Sequence, residues 1–202
     1  MQIFCLTNPL SISDKKIKTA PKKFNPFTDR LSRDIRNSLS EAFVKSLKGM
    51  DQGYYRQLSH EWLSKNLAPI YNDYIKDHLQ RYDLVFDQIQ RNRLTDKLLQ
   101  ILIIWNGGLF FEVHDLLESI WHQTTGDEHQ ALKGLIKAAG VYIHMEYHHQ
   151  KAGDSLAAKS SNLMRRYSHC LTFIANLNVL LKKLDNLDPV PPELENPATF
   201  TG

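Results

Sequence analysis

Apolar positions recur along most of this chain at intervals of three and four, the spacing that places side chains on one face of a helix. Leu31, Ile35, Leu39, Ala42, Phe43 and Leu47 mark the first such face, with Thr28 or Asp29 available to cap its start and Gly49 to end it. Tyr54, Leu58, Trp62 and Leu63 predict a second helix over 53–67. Pro69 suits the first turn of a third, which Ile70, Tyr74, Leu79, Leu84, Val85, Phe86 and Ile89 carry to about residue 90. Thr95 opens a short, very apolar helix over 98–105, stopped by Asn106-Gly107-Gly108. Val113, Leu116, Leu117 and Ile120, extended by Phe110 and Trp121, predict a fifth helix that Gly126 closes. Asp127 caps a sixth, in which Leu132, Leu135, Ile136, Ala139, Val141, Tyr142 and Ile143 run toward His144. Its small residues Gly134, Ala138, Ala139 and Gly140 suit tight packing on the preceding helix. Last, Leu156, Leu163, Tyr167, Cys170, Ile174, Leu177, Leu181 and Leu184 predict one long helix over 154–184, its stripe broken only at Ser160.

Strand-like alternation appears nowhere, so the fold class is all-α: a compact multi-helix bundle built around a central antiparallel helical hairpin. The expected organisation is an irregular basic arm over 1–27, with Pro9, Pro21 and Pro26, then a single helical domain over 28–184. Within that domain 28–94 are the N-terminal helices and 95–184 the core. Residues 185–202 read as an extended tail.

Composition changes this picture little. At 42% hydrophobic and 23% charged, the 202 residues are those of an ordinary globular domain with a sizeable core. The net charge of +3 invites nucleic acid as a partner, but residues 1–30 alone carry +4 (six cations, two acids), which leaves the remainder at −1. The basic character therefore belongs to the arm, and its location argues against a nucleic-acid role for the folded body. Cys5 and Cys170 lie far apart without C-x-x-C spacing, no secretory leader is visible, and no apolar run is long enough to span a bilayer. Free thiols in a soluble, cytoplasmic protein are the expectation. Cys170, inside the apolar stripe, is read as inert.

The stretch 110–121 stands out because acids and a histidine are set among large apolar residues, where charge is costly unless paired, protonated or bound to a metal. His114 and Glu118 are four apart and stack on one flank of the apolar arc beside Trp121. Six of the nine histidines, His114, His122, His129, His144, His148 and His149, fall in the hairpin that this helix opens. His144, on the neighbouring helix, is placed to project toward His114 and Glu118. Elsewhere the signals fail. His60-Glu61 begins an H-E-x-x-H pattern that Ser64 breaks, His60 and His78 read as exposed or edge histidines, and only Glu146 with His149 has the Glu-x-x-His spacing that a di-iron bundle needs twice. A phosphate-binding glycine loop and a G-x-S-x-G element are both missing, which argues against nucleotide hydrolysis and serine esterase chemistry.

The run from Trp105-Asn106-Gly107-Gly108 through Phe110-Phe111-Glu112-Val113-His114-Asp115-Leu116-Leu117-Glu118 to Trp121, followed by Gly134-Leu135-Ile136 and His144, resembles the bacterial, archaeal and plastid family called domain of unknown function 309. The resemblance covers roughly residues 98–170. It implies a compact all-helical bundle whose signature positions here are Glu112, His114, Glu118, Trp121 and His144, and it brings no assigned activity. Asp115 stands where a glutamate is typical of the family, and 147–154 lacks the usual Gly-Asn and Gly-Ala pairs.

Two functional readings follow from these residues. In the first, His114, Glu118 and His144 offer three ligands to a divalent transition metal (zinc, iron or manganese) in a water-poor recess, with a position left for water. Glu112 or Asp115 then orients a ligand or serves as catalytic base, and the reaction class is hydrolytic. In the second, the same His/Glu cluster is a structural hydrogen-bond network inside a non-catalytic interaction or scaffold module. The partner is accordingly an unidentified small molecule or a protein.

Overall fold

The computed structural model describes residues 23–197, which form eight α-helices with no strand among them. Residues 1–22, most of the expected basic arm with Cys5, and 198–202 lie outside the described residues. The helices are α1 (Arg30–Gly49), α2 (Gly53–Leu63), α3 (Pro69–Arg91), α4 (Lys97–Asn106), α5 (Phe110–Trp121), α6 (Gly126–Glu146), α7 (Gln150–Arg166) and α8 (Leu177–Asp185). A 3-10 turn at Ser168–Cys170 precedes α8. The expected all-helical bundle is the observed fold, and among the described residues no helix is long and apolar enough to cross a membrane.

Local chemistry explains most of the helix starts. Asp29 caps α1 by accepting from the Ser32 amide at 2.8 Å, and Pro69 opens α3 in its first turn. At α4 the cap is Asp96 and not Thr95: its carboxylate accepts from the amides of Leu98 and Leu99. Gly108, at φ +70°, lets the chain turn from α4 into α5 within three residues. The next turn departs from expectation. The last residue of α5 is Trp121, and Gly126, expected to close α5, is instead the first residue of α6, where Asp127 and Glu128 place negative charge at the positive end of the helix dipole.

Helix α6 is the axis of the bundle. It packs most extensively on α7 and next on α5. Gly134 is the close contact, but with α7 and not with the preceding helix: it lies against Leu163 and Met164, and Ser160 donates to its carbonyl at 2.7 Å. The break in the apolar stripe at Ser160 is therefore a packing device. A larger side chain there would hold the two backbones apart.

The long helix expected over 154–184 is two helices. After Tyr167 the backbone leaves the helix, Leu171 and Ile174 turn into the core, and the Ala175 amide donates to the Glu195 carbonyl at 2.8 Å. Thr172, Ile174 and Asn176 are poor helix formers, and here Asn176 has other partners. The Asn176 side chain accepts from the Glu195 amide and donates to the Glu193 carbonyl. Asn106 brackets Leu194 in the same way, at 2.7 and 2.9 Å, and the Trp105 indole donates to the Pro192 carbonyl. The C-terminal segment is extended, as expected, and these two asparagine brackets bury Leu194 and close the bundle beneath α4.

Residues 24–27 are irregular in backbone yet docked. Phe24 stacks on Tyr74 with ring centroids 3.5 Å apart, Phe27 lies over His144 and His149, and Arg33 donates to the carbonyls of Pro26 and Phe27. Deeper in, Phe43, Tyr55, Tyr82 and Phe86 form an aromatic column between α1, α2 and α3.

Candidate metal and ligand pocket

The amphipathic arc of α5 decides where each of its polar residues goes. Phe110, Val113 and Leu117 are buried, and Glu112, one residue before Val113, is carried into the core with them at 1% exposure. There its carboxyl accepts from the Tyr82 hydroxyl at 2.6 Å. That carboxyl and burial together hold the Tyr82 phenol well above its usual range. Glu112 does not line the pocket in which the other predicted site residues meet.

His114, Asp115 and Glu118 are brought together on the flank of α5. His114 Nδ1 lies 3.7 Å from Asp115 Oδ1 and 3.8 Å from Glu118 Oε2, and one donor atom from each of the three falls within 4.8 Å of the others. Tetrahedral coordination with bonds of about 2.0–2.2 Å separates ligand atoms by about 3.3–3.6 Å, so the two imidazole–carboxylate distances are a few tenths of an ångström too long, and the set as a whole, spread over up to 4.8 Å, would close on an ion by side-chain movements of about 1 Å. Asp115 is tethered from below by the Ser40 hydroxyl of α1 at 2.9 Å. The side chains of His114, Asp115 and Glu118 are 33%, 41% and 47% exposed, so the recess is half open and not the water-poor one expected. Helix α5 lies at the surface along this flank, where periodicity alone does not distinguish a half-covered stripe from a covered one.

These three residues line a pocket of about 470 Å³ between α1, α5 and α6. His144 lines it too, from α6, but is not in the close donor group: it stacks on Phe27 at 5.2 Å and lies beside His149. Its Nδ1 is buried with no hydrogen-bond partner among the described residues, as is the Trp121 indole nitrogen on the same pocket wall. Burial, and then the neighbouring charge of His149, lower the His144 pKa, which leaves the imidazole neutral at pH 7 with a lone pair free. The unfolded chain then binds a proton here more readily than the folded one. Stability from this group is fully present above about pH 6.5 and is lost as the pH falls through the lowered folded value. Thermal melts from pH 7.5 down to 5 should show this decline, and His144→Gln should flatten it.

Four residues of the pocket have no counterpart in the sequence reading. Phe27 covers it from the N-terminal segment, and Arg36 of α1 lays its guanidinium over Phe111, 4.1 Å from the ring centre. Lys133 and Lys137 come from α6. The lysines were within reach of the sequence, since Lys133, Lys137, Gly140 and His144 fall at spacings of four, three and four on one stripe. Arg36 and Phe27 reach the pocket only through tertiary packing. Other predicted residues have structural places. His78, expected at an edge, is buried, stacked on Tyr74 with Nδ1 3.1 Å from the Tyr74 carbonyl; His129 stacks on Trp121 and closes the α5–α6 turn.

No curated protein and no solved structure matches the chain. A family model does match, over residues 98–156, and this stretch contains every pocket-lining residue except Phe27 and Arg36. That segment is similar to the family described as Domain of unknown function (DUF309).

Proposed function

We propose that this pocket binds a small molecule together with a divalent transition metal, and that His114, Asp115 and Glu118 hold the ion. The observation that carries the reading is the convergence of three donor atoms within 4.8 Å on the wall of a pocket large enough for a small organic ligand. An imidazole and two carboxylates suit zinc, iron or manganese, and three protein ligands leave a position for water, which is the arrangement of hydrolytic metal sites. In this reading Asp115 is a ligand, with Ser40 orienting it, and neutral His144 on the facing wall is the group able to accept a proton from that water. Glu112 takes no part. The competing reading, a non-catalytic interaction module, is favoured by one observation: the Ser40–Asp115 hydrogen bond also ties α1 to α5, as a purely structural contact would.

Elemental analysis of protein purified without chelator or affinity tag separates the two. Near-stoichiometric zinc, iron or manganese is expected, with affinity reduced about tenfold or more in His114→Ala. Protein free of metal that also fails to take up added zinc or manganese, with His114→Ala altering only the melting temperature, would leave the interaction module standing.

A further inference from the structure

Lys133 and Lys137 lie one turn apart on α6 and are half-buried, and each faces two recesses. On one side is the pocket of the His114 cluster. On the other is a depression of about 520 Å³ between α6 and α7, where Lys159 and Arg166 join them. None of these four cations forms an ion pair with a carboxylate among the described residues; the Arg166 guanidinium rests near the Tyr167 ring instead. Like charges one turn apart oppose each other in a helix, and here burial and the charges of Lys133 and Lys159 pull the Lys137 ammonium below the usual lysine range. The close α6–α7 contact is made by Gly134 and Ser160 and not by these lysines.

Charge balance gives the crowding a direction. The His114 pocket is lined by Arg36, Lys133 and Lys137 against Asp115 and Glu118. A divalent ion on the two carboxylates cancels them and leaves three cations facing the ligand. The Arg36 Nε and the Trp121 Nε1 are both buried without a hydrogen-bond acceptor among the described residues, so two more N–H donors are available. Ammonium, guanidinium and indole donors around a metal are an arrangement for phosphate oxygens.

We propose that the ligand is a small molecule bearing more than one phosphate group, one lying between the His114 cluster and Lys133/Lys137 and another extending over the α6 ridge toward Lys159 and Arg166. The proposal rests on the pocket being a ligand site, but the lysine strip is a separate observation from the metal cluster. Length favours a small molecule over nucleic acid: the strip is four cations long, and the chain beyond residue 30 carries a net charge of −1.

Calorimetry on the full chain, with pyrophosphate, inorganic phosphate and manganese each titrated alone, tests this. Pyrophosphate is expected to bind at one site, about tenfold tighter than inorganic phosphate. The double variant Lys133→Met/Lys137→Met should weaken it by about 100-fold, roughly tenfold for each charged hydrogen bond, while manganese affinity stays unchanged. Lys76→Met, at an exposed position of α3, should leave both affinities as they were and controls for loss of a lysine as such. Manganese binding without pyrophosphate binding would overturn the phosphate assignment and leave the metal reading intact. Pyrophosphate binding without manganese binding would do the reverse. Pyrophosphate affinity equal in parent and double variant overturns the proposal, as does a single-stranded RNA oligomer that binds more tightly than pyrophosphate through the same lysines.

Discussion

Gly134→Leu is expected to lower the melting temperature by about 5–15 °C. A Cβ at this position would stand 2.8 Å from Met164 Cγ, 3.1 Å from Leu163 Cβ and 3.2 Å from the Met164 backbone nitrogen. The methionine side chain can move aside, but the α7 backbone cannot without separating the two most extensively packed helices of the bundle. Separation would also break the Ser160 hydrogen bond to the Gly134 carbonyl. Overpacking of this kind costs about 1–3 kcal/mol and the lost hydrogen bond about 1 kcal/mol more. In a chain of this size each kcal/mol is worth about 2–4 °C. Gly134→Ala should fall between parent and leucine variant, because alanine recovers about 1 kcal/mol of helix propensity. Gly140→Ala is the control, since a Cβ there meets Leu156 at 3.4 Å, an ordinary contact, and the variant should be neutral or slightly stabilised. Scanning calorimetry of the three variants decides it. A Gly134→Leu protein that melts with the parent would mean that α6 and α7 are not in close backbone contact.

Helical periodicity together with a terminating signal makes α1 and α4 legible to within a residue or two, whereas Gly126, which reads as the end of α5, opens α6. Leu31 to Leu47 with Asp29 and Gly49 gives α1, and the apolar run before Asn106-Gly107-Gly108 gives α4. Spacing without such a signal misleads. The stripe through Tyr167, Cys170 and Ile174 keeps helical spacing across a segment that is not helical, because Leu171 and Ile174 are buried from an irregular loop. What breaks the helix is the segment around Glu193–Glu195, distant in sequence and paired to Ala175 and Asn176. The site divides along the same line. His114 and Glu118 could be found together because both sit on one helix at i and i+4, and periodicity also places His144 on the facing helix. Asp115 joins their donor group through a side-chain direction that spacing does not give, while Arg36 and Phe27 arrive from elements whose packing on α5 no local pattern encodes. Glu112 shows the converse. A carboxylate beside a histidine in an apolar helix reads as chemistry, and here the same periodicity carries it to the opposite side of the helix from His114, where Tyr82 meets it.

That placement makes the second large effect specific to stability. Glu112→Ala is expected to cost about 2–5 kcal/mol, from the cavity left in the core and from the Tyr82 hydroxyl, buried with its acceptor removed. Tyr82 cannot turn away, because it is fully buried and stacked on Phe43 at 4.3 Å. Glu112→Gln keeps both the shape and an oxygen able to accept from Tyr82, and should cost about 1 kcal/mol or less. Neither substitution touches the pocket wall, so metal content and pyrophosphate affinity of the folded protein should match the parent in both. The pair of variants thus separates a structural carboxyl from a catalytic one. A structural carboxyl tolerates glutamine and not alanine, whereas a catalytic base tolerates neither and its loss need not change the melting temperature. Equal melting of Glu112→Ala and parent, or loss of metal from Glu112→Gln, would return Glu112 to the site and remove it from the core.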